Sequence, residues 1–219
     1  MSTQKVTLAG GRYSPFFRVM QMALFHLKID YEVELLLPHS KYVYQYNPFG
    51  RIPLLIHGEK AIYETTAIRD YIDSKFNSEL TPVDFEIKLK VTQFISVASD
   101  YLFRQILVDY IKQRLYLERL GKTEGEITVL LEKKLKGCGR IMKAVESMVE
   151  EGPFLCGEEV TWADYFVYPF MVSFYSFPEA SFFSALSPKL FQWYGMFGKR
   201  PEAVATAMNI VDILRRASL

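Results

Sequence analysis

The residues best suited to chemistry in this chain lie in segment 47–55 and in the pair Glu64-Thr65. The segment reads Asn-Pro-Phe-Gly-Arg-Ile-Pro-Leu-Leu, which is a turn, a hydrophobic residue fixed before a proline, and a short apolar strand. Glu64 and Thr65 stand where a later strand gives way to a helix. Free N–H groups at a helix start, together with a hydroxyl, bind a carboxylate well. The order suits holding a small peptide by its backbone and its carboxylate.

The first third of the chain alternates short strands and helices. The pattern predicts strands at 5–9, 31–35, 52–56 and 61–63 and helices at 14–27 and 65–76, with one more helix between the second and third strands. Residues 57–60 read as the turn of a hairpin that joins the last two strands. A parallel unit followed by a hairpin makes a small mixed four-stranded sheet with helices packed against it.

The remainder of the chain is predicted to be helical. Residues 78–84 look like a linker, so we expect one domain over 1–77 and a second, all-helical domain over 85–219. Apolar residues at helical spacing predict helices at 85–120, 124–149, 162–175, 187–198 and 201–216.

Composition excludes several classes of function. The net charge is +1 and the basic residues are scattered, which argues against nucleic acid or an anionic membrane as a partner. No apolar run reaches the roughly 18 residues of a membrane helix, and no signal-peptide pattern occurs. Cys138, Cys156 and the three histidines lack the spacing of a disulfide framework or a metal site. We therefore expect a soluble, cytoplasmic protein without a metal.

The chain resembles the cytosolic glutathione transferases over nearly its whole length. The most specific likenesses are segment 47–55 with Glu64-Thr65, and segment 154–164 in the second half. The resemblance implies a thioredoxin-like N-terminal domain and a helical C-terminal domain. It also implies a detoxifying enzyme of a serine-type class, with phi- or tau-like features. Such an enzyme activates the thiol of its co-substrate glutathione for attack on a small apolar electrophile.

Carried over to this sequence, the resemblance assigns four residues to the glutathione site. Pro53 is in the cis form in the family, and the main chain of Ile52 faces the cysteinyl unit of glutathione like an added strand. In the γ-glutamyl group, the ammonium is expected to bind Glu64 and the carboxylate is expected to bind Thr65. A plain helix cap at Glu64-Thr65 is the alternative, and both roles can hold together.

Three cations are candidates for the glycyl carboxylate of glutathione. Arg51 matches the position just before the Ile-Pro pair in plant-type relatives, and His39 or Lys41 matches an upstream position. Each of the three is equally well read as a solvated surface side chain.

Two adjacent hydroxyls compete for the thiol. A thiol has an ordinary pKa near 8.5, and a hydroxyl donor at a helix start stabilises its thiolate. Ser14 stands at the start of the first helix with Pro15 behind it, as in the serine-type classes, so we favour Ser14. Tyr13 is the alternative, and a non-catalytic relative could use Ser14 only as a helix cap.

Other residues have weaker or purely structural assignments. The candidates for an apolar wall over the sulfur are aromatic, although most aromatics at helical spacing are simply core: Phe16, Tyr101, Phe103, Tyr110 and Phe174. Thr161 and Asp164 form a capping-box pattern at a buried helix, and we expect them to serve folding.

The sequence leaves three alternative functions open and favours one oligomeric state. The chain could be a non-catalytic binding or assembly module of the same fold, a glutathione-dependent peroxidase or isomerase, or a relative of the chloride-channel type. We expect a homodimer, partly from the resemblance and partly because the helix over 85–120 carries apolar residues on more than one face.

Overall fold

The structure, a computed structural model, describes residues 4–216. Four strands form one sheet in the order β2-β1-β3-β4. β1 (Val6–Gly10) runs parallel to β2 (Tyr31–Leu35) and antiparallel to β3 (Leu54–His57), and β3 forms a hairpin with β4 (Lys60–Tyr63). This confirms the predicted mixed four-stranded sheet of a thioredoxin-like domain.

Three helices pack on this sheet. They are α1 (Pro15–His26), α2 (Lys41–Tyr46) and α3 (Thr65–Phe76). α1 contacts β1 and α3, and α3 also contacts β4. α2 buries Val43 against Ala9 and Leu54, which lie opposite each other in the β1–β3 pairing. The small core thereby fixes the carboxyl end of β1, where the first functional residues follow.

The rest of the described chain is helical, as expected. Its elements are α4 (Phe85–Val97), a π-helical segment (Ala98–Ile111), α5 (Lys112–Arg119), α6 (Glu124–Met148), α7 (Trp162–Phe174), α8 (Ala180–Leu186), α9 (Pro188–Phe197), α10 (Pro201–Ala205) and α11 (Ile210–Arg216). All of α7 is buried, and α4, the π segment and α9 pack against it. None of the helices within residues 4–216 is both long and apolar enough to cross a membrane.

The chain divides into two compact units. The first comprises the chain up to Thr81 together with Arg200–Ala207, and the second comprises Pro82–Lys199 and the chain from Met208 onward. The return of Arg200–Ala207 to the first unit places α10 against α1. The sequence pattern did not predict this return.

The helix predicted over 85–120 is not a single regular α-helix. Between Ala98 and Ile111 it widens to π-helical geometry, in which each N–H bonds to the carbonyl five residues before it. Six of its residues are buried: Ala98, Leu102, Ile106, Leu107, Tyr110 and Ile111. The prediction assumed ordinary α-helical spacing throughout, so it found the helix but not its wider turn.

The prediction of one continuous helix over 201–216 was wrong, because the structure has two helices there. α10 ends at Ala205, and α11 begins only at Ile210. Asn209 starts the new helix, because its side-chain oxygen accepts the N–H of Asp212 at 3.2 Å. The short helix α8 was also missed.

Candidate functional site

Ser14 is the N-cap of α1. Its Oγ accepts the N–H of Phe17 at 3.3 Å, and its own N–H donates to the carbonyl of Gly11 at 2.9 Å. Pro15 occupies the first helical position, where its missing N–H costs nothing. Because the Ser14 oxygen acts as acceptor in the cap, its hydroxyl proton can be donated to an anion in front of the helix. The residue is 9% exposed.

Tyr13 is held by different contacts. Its ring lies over the backbone of Gly11, where an added Cβ would come within 2.6 Å of the ring carbon Cε1. Burial raises the pKa of the Tyr13 hydroxyl above its ordinary value, so the group stays protonated and can only donate or accept a hydrogen bond. Both hydroxyls therefore remain chemically able to serve a thiolate, and the choice of Ser14 stays a prediction.

The loop that precedes β3 contains the expected cis peptide bond between Ile52 and Pro53. β3 is paired with β1 only as far as Leu54, opposite Ala9, so the main chain of Ile52 lies beyond the paired register. The N–H and C=O groups of Ile52 are thus positioned at the end of the ladder, where an extended peptide can be added to it.

Asn47 holds this loop in shape, a role that sequence reasoning missed. The side chain is buried, its Nδ2 donates to the carbonyl of Arg51 at 3.0 Å, and its Oδ1 accepts the N–H of Phe49 at 2.9 Å. Asn47 thereby closes the turn that delivers Ile52 to the end of the sheet. An asparagine directly before Pro48 was the available signal, because asparagine side chains commonly bond the backbone two residues on.

Glu64 adopts an unusual backbone conformation at the mouth of α3. Its φ is 66° and its ψ is 119°, a region that costs a non-glycine residue about 1–3 kcal/mol. Its side chain makes no capping bond to the helix, so the plain-cap role has no support at this position. The carboxylate of Glu64 is exposed, and the first N–H groups of α3, beginning at Thr65, receive no bond from it.

The three candidate cations for the glycyl carboxylate lie in one loop region of the first unit. The N–H of His39 donates to the carbonyl of Gly50 at 2.7 Å, and its Nδ1 lies 2.8 Å from the hydroxyl of Tyr44. This brings His39 next to Arg51, the residue after Gly50. Lys41 begins α2 two residues beyond His39, and all three side chains are exposed. Their role stays a prediction.

The five candidate aromatics differ in exposure. Tyr101 is 47% exposed, and Phe16 and Phe103 are half-buried. Phe174 is fully buried against Phe170 and Phe183. Tyr110 is also buried, and its hydroxyl donates to Glu179 at 2.5 Å. These interior positions of Phe174 and Tyr110 argue against substrate contact, so the apolar-wall proposal now depends on Phe16, Tyr101 and Phe103.

Thr161 and Asp164 form the expected capping box at α7. Asp164 Oδ2 accepts the N–H of Thr161 at 2.9 Å, while Oδ1 accepts the N–H of Leu155 at 2.9 Å and the indole N–H of Trp193 at 2.8 Å. Burial raises the pKa of Asp164 to about 6, although these donors favour the ionised form. The carboxyl ties three parts of the second unit together, which is a structural role.

The two cysteine thiols of the described residues 4–216 are poorly suited to act as nucleophiles. Cys138 and Cys156 are both buried, and burial raises the pKa of each thiol to about 12, so neither is a ready nucleophile. The described residues contain no group of three or more histidine, cysteine or acidic side chains able to hold a metal ion.

A cavity of about 670 Å³ lies at the other end of α1 from Ser14. It is lined by Phe25, His26, Lys28, Ile29, Asp30, Tyr31, Arg200, Pro201 and Glu202. None of the residues predicted to bind glutathione lines it.

Comparison with known families accounts for both parts of this chain. Residues 8–80 match the glutathione S-transferase N-terminal domain, and residues 107–205 match the glutathione S-transferase C-terminal domain. Glutathione S-transferase 1 of Triticum aestivum is 25% identical over 171 residues, which are 72% of this chain and 71% of the relative. The probable glutathione S-transferase parA of Nicotiana tabacum is 28% identical over 202 residues, which are 88% of this chain and 84% of the relative.

Solved structures share the fold. A glutathione transferase homologue from Drosophila mojavensis with bound glutathione has a TM-score of 0.81 and 24% identity, and covers 97% of each chain. A tau class glutathione S-transferase from Mangifera indica has a TM-score of 0.74 and 20% identity, again over 97% of each chain. With both family domains matched in order along one chain, this protein belongs to the glutathione transferase family.

Proposed function

We propose that the protein activates the thiol of glutathione by a hydrogen bond from Ser14 and directs the thiolate at an apolar electrophile. The observation that carries this proposal is the N-cap geometry of Ser14, whose oxygen accepts the N–H of Phe17 and leaves the hydroxyl proton to donate. Glutathione as co-substrate follows from the family. A serine hydroxyl and a helix N-terminus at one point both favour an anion there.

The tripeptide is held at three points in this proposal. The main chain of Ile52 pairs with the cysteinyl unit, which places the sulfur near the N-terminus of α1. Glu64 binds the α-ammonium of the γ-glutamyl unit, and the N–H groups and hydroxyl at Thr65 bind its carboxylate. The strained backbone of Glu64 supports this assignment, because such conformations cluster at sites that clamp a ligand.

The glycyl end of glutathione meets the cationic loop region. Arg51, His39 and Lys41 present positive or hydrogen-bonding side chains from neighbouring positions. A carboxylate is bound best by a planar guanidinium, which offers two parallel N–H groups. We therefore assign the main contact to Arg51.

The catalytic assignment is tested with a generic aryl halide as electrophile. We expect Ser14→Ala to lower kcat by about 10- to 100-fold, because one charge-assisted hydrogen bond to the thiolate is lost. Tyr13→Phe is expected to retain most of the activity. The opposite pattern would assign the hydroxyl to Tyr13, and a wild-type protein that binds glutathione without turnover would instead be a binding module.

A matched control separates the loss of a helix cap from the loss of chemistry. Thr123 caps α6 with the same geometry, since its Oγ1 accepts the N–H of Glu126 at 3.3 Å. Thr123→Ala removes a cap hydroxyl in the second unit, at a typical cost of about 1 kcal/mol of stability. We expect it to lower the melting temperature and to leave kcat unchanged.

We also propose that the protein is a cytoplasmic homodimer with a detoxifying role. The structure weakens one part of the physical argument, because Phe94, Ile95 and Ile106 of the long helix are buried within the single chain. Other apolar side chains of α4 are well exposed, and Phe85 and Leu89 support an interface.

A further inference from the structure

The segment Arg200–Ala207 holds α1 from a distant part of the chain. It belongs to the first unit, and α10 packs directly against α1, the helix whose N-cap is Ser14. Nearly two hundred residues separate the two in sequence, so this contact exists only in the folded chain. The segment is therefore in a position to set where α1, and with it Ser14, stands.

Arg18 makes the contact nearest to Ser14. Its own N–H donates to the carbonyl of Ser14 at 3.2 Å, so its backbone lies in the first turn of the helix. Its side chain is only 4% exposed. Its Nε donates to Thr206 Oγ1 at 3.4 Å, and its Nη2 donates to the carbonyl of Ala203 at 3.3 Å.

Thr206 is itself oriented to receive Arg18. Its hydroxyl proton is donated to the carbonyl of Glu202 at 2.8 Å, which leaves the oxygen to accept from the guanidinium. Thr206 is buried as well. The result is a continuous hydrogen-bonded path from the backbone of Ser14, through Arg18, to the backbone of the C-terminal segment.

The same segment also contacts the C-terminal end of α1. Glu202 is 2% exposed, and its Oε1 accepts from Arg200 Nε at 2.6 Å and lies 3.8 Å from His26 Nδ1. Arg200 Nη2 also lies 3.4 Å from His26 Nδ1, so α1 contacts this short segment near each of its ends. Contacts at two points along a rigid helix restrict how far it can shift or turn.

The placement of Arg18 is not explained by helix stability. A cation in the first turn of a helix faces the positive end of the helix dipole, which is unfavourable. Burying a guanidinium adds a desolvation cost that its hydrogen bonds must offset. A residue that is costly for the helix yet tied to a second segment points to a role in the site that the helix presents.

We propose that Arg18 is a positioning residue for the thiol chemistry: it aligns Ser14 with the glutathione sulfur by anchoring the first turn of α1 to Thr206 and Ala203. This inference rests on the proposed function of Ser14. It concerns alignment, and Arg18 needs no contact with glutathione.

Two variants and one control test the anchor. Thr206→Val is nearly isosteric and removes the hydroxyl that accepts from Arg18 and donates to the carbonyl of Glu202. Arg18→Lys keeps the charge but loses the two-point geometry. Thr128→Val is the matched control, because Thr128 Oγ1 also donates to a carbonyl four residues back, at 2.9 Å, from an exposed position of α6 in the second unit. Ser14→Ala is measured in parallel.

The readouts are the pH midpoint of thiolate formation in bound glutathione, followed by ultraviolet absorbance, and the steady-state constants. For Thr206→Val and Arg18→Lys we expect the midpoint to rise by about half a unit to one unit. At pH values below that midpoint we expect kcat to be about 3- to 10-fold lower than in the wild type, because less of the bound thiol is ionised. KM for glutathione should stay within about two-fold of the wild-type value. Thr128→Val should match the wild type.

The outcomes distinguish a failure of the positioning role of Arg18 from a failure of the catalytic role of Ser14. If Ser14→Ala raises the midpoint but Thr206→Val and Arg18→Lys do not, the positioning role is wrong and the proposed function stands. If Ser14→Ala leaves the midpoint alone, the assignment of Ser14 fails, and the positioning role fails with it. A rise in KM of the same size as the fall in kcat would mean general damage to the site and would also overturn the inference.

Discussion

Among the candidate site residues, Glu64 has the local structure that most directly favours a role in ligand binding. A glutamate at φ 66° is strained, its side chain does not cap α3, and it is exposed at the helix mouth. Folding alone gives no reason for this arrangement, because glycine would adopt the same conformation without a side-chain clash. We therefore propose that the Glu64 carboxylate is kept to bind the ligand.

Glu64→Ala is expected to weaken glutathione binding. The α-ammonium of the ligand would lose its carboxylate partner, at a cost of about 1.5–3 kcal/mol, or roughly 10- to 150-fold in Kd. Isothermal titration calorimetry measures this directly. Glu59→Ala, at an exposed turn of the same unit, is the control and should bind as the wild type does.

Glu64→Gly separates strain from binding. Glycine relieves the backbone conformation, so the melting temperature should rise or hold, while the affinity for glutathione falls as in Glu64→Ala. Unchanged affinity in both variants would contradict the assignment of Glu64 to the ligand.

Asp164 is the corresponding structural residue of the second unit. Asp164→Ala leaves the buried N–H groups of Leu155, Thr161 and Trp193 without their acceptor. We expect a loss of at least about 3 kcal/mol, or a melting temperature lower by roughly 6–12 °C. Glutathione affinity per folded molecule should not change, and Asp100→Ala at an exposed position is the control.

The pH dependence of that loss has a definite sign. Burial raises the pKa of Asp164 to about 6 from 3.8, so the folded state binds more protons than the unfolded state between these values. The stability that Asp164 contributes therefore falls as the pH rises through this window. Denaturant unfolding should show a larger effect of Asp164→Ala at pH 4 than at pH 7, and the reverse order would contradict this environment for the carboxyl.

At the scale of elements, short sequence motifs correctly predicted the helix starts and the strand that depend on neighbouring residues. Ser14 with Pro15 marked the start of α1, and Thr161 with Asp164 marked the start of α7. The alternation in residues 31–35 matched β2 without a shift at either end. Each of these signals depends on neighbours within a few positions, which is why the sequence alone was sufficient.

Features that depend on distant contacts were not predictable in this way. The packing of α10 against α1 and the hydrogen bond from Arg18 to Thr206 both join parts of the chain that are far apart in sequence. Within the site, the resemblance to the family implied the cis bond at Pro53, but nothing in it indicated the part played by Asn47, whose two bonds hold the loop. Burial similarly removed Tyr110 and Phe174 from the candidate wall, because helical periodicity does not distinguish core aromatics from those at a surface.

At the scale of the whole molecule, the proposed homodimer makes a simple prediction. The single chain has a mass of 25.4 kDa, so light scattering at micromolar concentration should give about twice that value. Phe85→Asp would place a charge on one of the most exposed apolar side chains of α4 and should shift the population toward the single-chain mass. A wild-type mass near one chain would contradict the dimer.

The central claim is that Ser14 stabilises the thiolate of bound glutathione, and titration of that thiolate by ultraviolet absorbance tests it most directly. The wild-type complex should ionise well below the ordinary thiol pKa of about 8.5. Ser14→Ala should move the midpoint back toward that value, and Tyr13→Phe should leave it near the wild-type position. A midpoint that Tyr13→Phe raises and Ser14→Ala does not would contradict the account.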